Sequence, residues 1–286
     1  MIRKTEPYRY EQSFIELMQT PEGQALAHQC YIDWDITDSC KRFEASEEWQ
    51  AVMKFLNKYV SPGSRVLDLG AGNGISSYAL SKMDYDVFAI EPNPSDLVGH
   101  GAIVKMRQET QLNIQCVPAL GEYLPFESGI FSLVYCRQVL HHAENLNSML
   151  REVSRVLQKR GILVATREHV IDDQISLEAF LKNHPLDEFS VEEWAYKLDE
   201  YVTMILLNGM KIIKTISPWE SEINYYPSTE EQRIKQLVDR FTQRFGRTGR
   251  YVRYVPFVDW IYRQYLGLKD HTPGRMYTLI ARKESG

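Results

Sequence analysis

The sequence lacks several features that mark specialised classes of protein. It has four cysteines, none of them in a C-x-x-C pair or at another spacing typical of metal ligands. No apolar run approaches the roughly 18 residues that a membrane-spanning helix needs, and residues 1–7 lack the apolar stretch of a secretion signal. These absences predict a protein of the reducing cytoplasm, with no transmembrane segment and no metal site.

An excess of positive charge is also absent. The formal net charge is −5 and the pI is about 5.9, which argues against general nucleic-acid binding by the whole chain. The hydrophobic content of 44% and the charged content of 25% are ordinary for a globular protein. A length of 286 residues suits one large domain, or a smaller domain with an elaborate cap. Nothing in the composition predicts an oligomeric state.

A glycine-rich stretch stands out against this ordinary background. Residues 66–69 form a short apolar run of the length of a buried parallel strand, and residues 75–80 have the pattern of a helix. Between them lie three glycines at alternate positions, Gly70, Gly72 and Gly74. Glycines at the carboxyl end of a strand let the backbone turn tightly and let a ligand approach it closely. The stretch therefore predicts a site for a nucleotide-like ligand.

The glycine spacing and the next strand narrow the choice of ligand. A dinucleotide-binding fingerprint needs a third glycine at position 75, where Ile75 stands. Residues 86–91 are typical of a second strand ending in Glu91, 21 residues beyond Gly70. A carboxylate at this place can accept hydrogen bonds from both ribose hydroxyls of a nucleoside. We favour that role for Glu91 over the alternative of a solvated carboxylate at a strand end.

Four motifs, taken in order, resemble those of a known family. The D-x-G-x-G-x-G motif that begins at Asp68 resembles the first motif of the class I S-adenosylmethionine-dependent methyltransferases. Residues 121–126 (GEYLPF), 140–142 (LHH) and 159–161 (KRG) are similar to later segments of the type-11, UbiE-like group of that family. The resemblance covers residues 64–168. It implies an α/β fold: a Rossmann-like sheet of seven strands, mostly parallel with the last strand antiparallel, and a helical cap.

The resemblance also implies a cofactor, S-adenosyl-L-methionine, and the residues that bind it. They are Asp68, Gly70, Ala71, Gly72, Gly74, Glu91, Pro92, Gly121, Glu122 and Arg137. Asp68 is expected to anchor the glycine loop and receive the cofactor's amino group. Arg137 is expected beside the methionine end of the cofactor, with its backbone or its guanidinium holding the carboxylate, although a solvated arginine is nearly as good an interpretation. Leu120 replaces the aspartate with which the group commonly binds adenine, so backbone groups, apolar contacts or Glu122 would hold that ring.

Methyl transfer from a sulfonium is a single in-line displacement, so the protein mainly positions the acceptor and excludes water. A general base is needed only when the acceptor must lose a proton. The segments expected to be loops after strands four and five hold four candidates, His141, His142, Glu168 and His169. We choose His141 as the candidate catalytic residue, against the simpler interpretation that each of these residues is structural.

The remaining segments predict a three-part organisation. Residues 1–45 form an N-terminal helical cap segment, for which helical packing on the main domain is favoured over a substrate lid. Residues 46–216 plus 276–286 form the Rossmann-like core. Residues 217–275 are too long for a plain loop between the last two strands, and should fold as a helical insertion that caps the substrate.

The insertion has an unusual charge. Between Arg233 and Arg275 it holds ten basic residues and three acidic ones, with six interleaved aromatic residues between Tyr251 and Tyr265. Three interpretations stay open: a solvated basic face beside an aromatic packing face, a site for an anionic acceptor or carrier, and a surface for anionic lipids. The overall acidity disfavours nucleic acid.

The leading hypothesis is an S-adenosylmethionine-dependent methyltransferase acting on an O or N atom of a small molecule. The expected cap suggests a discrete metabolite, a sugar or a lipid-linked precursor, anionic or not, rather than a protein surface. A methyltransferase-like binding protein without catalysis is the alternative, which Leu120 leaves open. A nicotinamide-dependent oxidoreductase is disfavoured by the glycine spacing.

Overall fold

One twisted sheet forms the centre of the molecule. In this computed structural model, which describes residues 9–183 and 194–284, the sheet has the order β3-β2-β1-β4-β5-β8-β7, with β6 paired to β5. The strands are β1 (Arg65–Leu69), β2 (Asp86–Ile90), β3 (Ile114–Val117), β4 (Phe131–Arg137), β5 (Leu157–Ile171), β6 (Tyr196–Lys197), β7 (Met210–Ile216) and β8 (Arg275–Lys283). Only β8 runs antiparallel to its neighbours β5 and β7. The predicted seven-stranded sheet is confirmed, with the two-residue β6 as an addition.

Helices cover both faces of the sheet. They are α1 (Arg9–Leu17), α2 (Pro21–Gln29), α3 (Ile36–Ala45), α4 (Glu47–Tyr59), α5 (Ile75–Ser81), α6 (His100–Thr110), α7 (Leu146–Val156), α8 (Gln174–Asn183), α9 (Leu198–Leu207), α10 (Glu222–Tyr225), α11 (Glu230–Phe245) and α12 (Val258–Lys269). Two 3-10 segments, Leu140–His142 and Gly246–Tyr254, complete the described part. Ser46 caps α4 by accepting a hydrogen bond from the Trp49 N–H, which satisfies a donor that the helix itself leaves unpaired.

Alternate residues of the central strands feed two hydrophobic clusters. Val66 packs with α3, α4, α5 and α6 on one face, whereas Leu67 and Leu69 pack with α7 and α9 on the other. This alternation follows from the two-residue repeat of a strand. Burial on both faces explains why the central strands are almost continuously apolar.

Strand β5 is much longer than the expected residues 162–166. Its pairing with β8 shifts register between Ala165 and Glu168 and then continues, with Glu168 opposite Tyr277 and His169 opposite Met276. Arg167 lies in this irregularity with φ +60. Glu168 and His169 were expected in a loop, and that expectation is wrong because β8 keeps them in the sheet.

The two predicted cap segments are helical where the structure describes them. Residues 9–45 form α1 to α3, and the chain between β7 and β8 forms α10 to α12 and a 3-10 segment. Their assignment as separate domains stays a prediction. Within residues 9–183 and 194–284, no helix is long and apolar enough to cross a membrane. The same residues contain no group of three or more metal-ligating side chains.

Candidate cofactor and acceptor site

A cavity of about 440 Å³ opens at the carboxyl ends of β1, β2 and β4. Its walls come from the glycine loop, residues 90–93, residues 119–122 and the segment after β4, with α1 and α2 on the remaining side. Such a volume is typical of a small-molecule site, and the carboxyl edge of a parallel sheet is where such sites form. Nine of the eleven predicted site residues line it: Gly70, Ala71, Gly72, Glu91, Pro92, Gly121, Glu122, Arg137 and His141.

The glycine loop turns sharply between β1 and α5. Gly70, Gly72 and Gly74 all have positive φ, which side-chain-bearing residues rarely adopt. A Cβ on Gly72 would meet nothing nearer than the Val98 carbonyl oxygen at 4.0 Å, so this part of the loop presents bare backbone to the cavity. Gly74 does not line the cavity. It is the N-cap of α5, and a Cβ there would lie 2.9 Å from the Ile103 side chain.

Glu91, which directly follows β2, accepts a hydrogen bond from the glycine loop and so holds it against the neighbouring strand. One carboxylate oxygen accepts the Gly72 N–H and the other accepts the Asn93 N–H, each at 2.8 Å. Burial raises the pKa of Glu91 to about 7, against the lowering effect of these two bonds. Each oxygen keeps a second lone pair, so the carboxylate can accept two further hydrogen bonds from vicinal hydroxyls.

Asp68 lies beneath the loop and is not part of the cavity wall. Its carboxylate accepts the Ser77 hydroxyl at 2.5 Å and thereby ties β1 to α5. Burial raises the pKa of Asp68 to about 7, with the Ser77 hydroxyl acting in the opposite direction. This hydrogen bond agrees with the expected role of Asp68 as an anchor of the glycine loop. Its expected contact with the cofactor's amino group stays a prediction.

The segment after β3 forms the next part of the wall. Leu120 is half exposed and lines the cavity beside Gly121, where a Cβ would lie 2.7 Å from the Met149 side chain. The Glu122 carboxylate accepts the backbone N–H groups of Glu144 and Asn145, at 3.0 and 3.4 Å. Glu122 therefore also braces the start of α7, and an adenine ring at this wall would meet mainly apolar and backbone groups.

The Arg137 side chain has a partner that the sequence did not suggest. Its Nε and Nη2 donate to the two oxygens of Glu48 at 2.6 and 3.1 Å, and its guanidinium lies over the rings of Tyr31 and Phe43. Burial alone would lower the pKa of Arg137, but the Glu48 carboxylate holds it above its ordinary value. Because Glu48 occupies the fork of the guanidinium, the backbone of Arg137 is the better candidate for a ligand contact.

His141 lies in the wall with a buried carboxylate behind it. The Glu168 carboxylate accepts the backbone N–H groups of Val139, Leu140 and His141, and it lies 2.8 Å from His141 Nδ1. Three donors make this carboxylate an acceptor when it is ionised, and an ionised Glu168 favours the His141 tautomer with the proton on Nδ1 and the lone pair on Nε2. Burial raises the pKa of Glu168 above its ordinary value, and the three N–H groups partly offset this effect.

Three residues with structural roles at the site were missed or misplaced from the sequence. Glu48 lies in the first turn of α4, and neither its complete burial nor its pairing with Arg137 was predicted. Asn73 donates to the Tyr31 carbonyl oxygen at 2.8 Å and ties the glycine loop to the segment after α2. A charged residue within an apolar strand could have indicated the structural role of Glu168. No sequence pattern could have indicated the roles of Glu48 and Asn73, because their partners are far along the chain.

The cavity fits the expected cofactor. Gly72 leaves room for close approach to the backbone, and Glu91 offers acceptors to two hydroxyl groups. Leu120 and Pro92 present apolar surface on the same wall. An adenosyl group needs these three features together: an acceptor pair for the ribose, an apolar slot for the base and bare backbone beside the remaining chain.

Comparisons with known proteins bear on the family and the fold of the chain. Residues 67–165 match the family model described as "Methyltransferase domain". The uncharacterized methyltransferase YcgJ of Bacillus subtilis is 26% identical over 181 residues, which are 61% of this chain and 69% of YcgJ. The sarcosine/dimethylglycine N-methyltransferase of Halorhodospira halochloris is 31% identical over 131 residues, 46% of this chain and only 47% of that enzyme.

Solved structures show the same fold. A putative sarcosine dimethylglycine methyltransferase from Galdieria sulphuraria superposes with a TM-score of 0.55 at 17% identity, covering 87% of this chain and 88% of that one. Further relatives carry the names of O- and C-methyltransferases of quinone biosynthesis, so their names do not agree on one type of acceptor. Residues 67–165 thus form a methyltransferase domain that matches the type-11 group of the class I S-adenosylmethionine-dependent methyltransferases.

Proposed function

We propose that the protein methylates an O or N atom of a discrete small molecule, with His141 as the general base. The observation that supports this most is the His141–Glu168 pair in the wall of the cavity that Glu91 and the glycine loop also line. Histidine backed by a carboxylate is a common arrangement for removing a proton from a hydroxyl or ammonium group. When bound, S-adenosylmethionine supplies a methyl group that a nucleophile takes from its sulfonium sulfur in one in-line displacement.

The chain's own residues then have separate tasks. Glu91 and the backbone of Gly72 hold and orient the nucleoside. Glu168 fixes the segment after β4 and keeps the proton of His141 on Nδ1, so that Nε2 accepts the proton of the acceptor. Apolar side chains of the N-terminal helices, among them Leu17 and Leu26, cover the cavity and exclude water.

An assay of S-adenosylhomocysteine release tests this function. A panel of hydroxyl, amine and acidic-carbon compounds would be offered with S-adenosylmethionine, and the wild type compared with His141→Gln. We expect turnover of hydroxyl or amine compounds, lowered roughly 10²- to 10⁴-fold by the substitution. Calorimetry should find the affinity for S-adenosylhomocysteine nearly unchanged, because His141 takes no part in holding the nucleoside.

A histidine elsewhere on the surface provides the control. His271→Gln changes the same residue type at an exposed position that does not line the cavity, and should keep turnover within a few-fold of the wild type. Unchanged turnover in His141→Gln, or methylation of acidic-carbon compounds alone, would contradict the proposal. Tight binding of S-adenosylhomocysteine with no turnover of any compound would favour the binding-protein alternative.

A further inference from the structure

Helix α12 displays its apolar side chains to solvent. No α12 residue is buried, and its large apolar residues have high exposed fractions: Trp260 61%, Ile261 56%, Tyr265 52% and Leu268 79%. At 100° per residue these four positions fall within one face of the helix. A helix that packs on a globular core normally has the reverse arrangement, with this face buried.

Ion pairs fix the helix in that orientation. On the opposite face, Asp259 accepts from Arg233 and Arg263, both at 2.7 Å, and Arg263 also donates to Glu230 at 2.6 Å. Arg233 is only 2% exposed, so its charge is shielded from water, whereas its partners Glu230 and Asp259 are partly exposed. Turning the apolar face inward would break these pairs and leave buried charges without partners. The exposed apolar face is therefore a built feature of the fold.

Basic residues surround this apolar face. Residues 240–269 contain seven basic residues and one acidic residue, the paired Asp259, and they contribute +6 to a chain whose net charge is −5. Six of the basic side chains are exposed, together with the rings of Tyr254 and Phe257. We call this surface the α12 face; its members are Arg240, Arg244, Arg247, Arg250, Arg253, Tyr254, Phe257, Trp260, Ile261, Tyr265, Leu268 and Lys269.

We propose that the α12 face docks the protein on an anionic lipid bilayer. Tryptophan and tyrosine side chains favour the boundary between headgroups and acyl chains, and an apolar helix face lies in that plane while arginines contact lipid phosphates. A second copy of the chain fits less well, because two identical faces would bring their arginines together. The rest of the chain is acidic and is repelled by the same bilayer, so only this face can approach it.

Co-sedimentation with vesicles tests the charge contribution. Full-length protein would be mixed with phosphatidylcholine vesicles prepared with and without phosphatidylglycerol. Since each basic residue near an anionic surface is worth roughly a fivefold change in affinity, Arg250→Glu with Arg253→Glu should weaken binding roughly 30-fold or more. The matched control, Lys41→Glu with Lys54→Glu, makes the same change of net charge at exposed positions elsewhere and should bind like the wild type.

A second pair of variants tests the apolar contribution. Trp260→Ser with Leu268→Ser removes two exposed side chains of the α12 face, and binding to the phosphatidylglycerol vesicles should fall at least tenfold. Ile175→Ser with Leu207→Ser removes apolar side chains that are 77% and 71% exposed elsewhere, and should leave binding unchanged. Because all these positions are exposed, the variants should fold, which circular dichroism would verify.

Each result has a defined meaning. Binding that needs phosphatidylglycerol, weakens as salt rises and is lost in both α12-face pairs but in neither control pair supports the proposal. Absence of wild-type binding overturns it, as does wild-type binding by either α12-face pair. Light scattering that shows a wild-type dimer and monomeric α12-face variants also overturns it, because the occupant would then be a second copy. The methyl-transfer assay is independent of every one of these outcomes.

Discussion

Two buried carboxylates, Asp68 and Glu91, end neighbouring strands under the glycine loop. Burial raises the pKa of each to about 7, because the hydrogen bonds that they accept only partly replace the water that they lose. The two residues differ in what they contact. Asp68 faces Ser77 of α5 within the protein, whereas Glu91 lies on the cavity wall. Ionisation should therefore reduce stability at both residues, and at Glu91, on the cavity wall, it should also support ligand binding.

We expect Asp68→Asn to stabilise the protein at alkaline pH. The unfolded chain ionises this carboxyl near its ordinary pKa of 3.8, whereas the folded chain keeps its proton up to about pH 7. Stability from this group is thus present at low pH and is lost as pH rises through 7. Asparagine keeps an acceptor for Ser77 without the charge. Its gain should be on the order of 2 kcal/mol at pH 8 and less than half of that at pH 5.

Urea unfolding of the wild type and the variant at these two pH values measures the gain. Asp84→Asn, at an exposed position, is the control and should change neither curve. A gain for Asp68→Asn that is equal at pH 5 and pH 8 would show that the charge is not its source.

We expect Glu91→Gln to weaken the binding of S-adenosylhomocysteine at least tenfold at pH 8. The amide replaces one acceptor oxygen by a donor that opposes the N–H of Gly72 or Asn93. Because the pKa of Glu91 is about 7, the affinity of the wild type should also fall as pH drops from 8 to 6, and that of the variant should not. Calorimetry at both pH values measures these changes.

The exposed Glu127→Gln is the matched control for this substitution and should bind like the wild type at both pH values. If the affinity for S-adenosylhomocysteine had the same pH dependence in the wild type and in Glu91→Gln, ionisation of Glu91 would not contribute to binding. The adenosyl group would then have to be held by the loop backbone alone.

At the scale of elements, Glu48 joins α4 to two strands. It is fully buried, it pairs with Arg137 of β4, and it lies 4.0 Å from Arg167 of β5. Arg167 in turn donates to the carbonyl oxygens of Ile223, Asn224 and Tyr226, so it fixes the segment after β7. Burial lowers the pKa of Arg167, an effect that the Glu48 charge opposes.

We expect Glu48→Gln to lower the free energy of unfolding by about 3 to 5 kcal/mol, because it leaves two buried guanidinium groups without a counter-charge. Glu47→Gln, at the next and exposed position of α4, should cost less than about 0.5 kcal/mol. Chemical denaturation of the three proteins measures both effects. Similar losses in the two variants would mean that helix α4 tolerates no change there, rather than that the buried charge matters.

The same elements show what the sequence could predict. Strand β1, the glycine loop and α5 are specified by adjacent residues, so their positions and the candidate Glu91 followed from local patterns. The Glu48–Arg137 pair joins residues 89 positions apart, and the extension of β5 depends on pairing with β8 more than 100 positions later. Local pattern holds no information on such partners. For that reason the sequence did not decide between the backbone and the guanidinium of Arg137 as the ligand contact, and Glu168 was expected in a loop.

At the scale of the whole molecule, the N-terminal segment and the cofactor loop share one hydrogen bond. Asn73, between Gly72 and Gly74, donates to the Tyr31 carbonyl oxygen, and the Tyr31 ring stacks on Tyr226 at a centroid distance of 5.2 Å. Cys30 and Ile32, which flank Tyr31, line the cavity. A conformational change in the glycine loop should therefore affect residues 26–32, the segment that covers the cavity.

We expect ligand binding to order both parts together, and Asn73→Ala to separate them. In the wild type, S-adenosylhomocysteine should slow amide hydrogen exchange in residues 70–76 and also in residues 26–32. In Asn73→Ala the loop should keep its protection, whereas residues 26–32 should exchange roughly fivefold faster, the effect of losing one hydrogen bond worth about 1 kcal/mol. The exposed Asn57→Ala should behave as the wild type. Equal protection of residues 26–32 in all three proteins would mean that apolar packing against Leu97 and Val98 alone holds the cap.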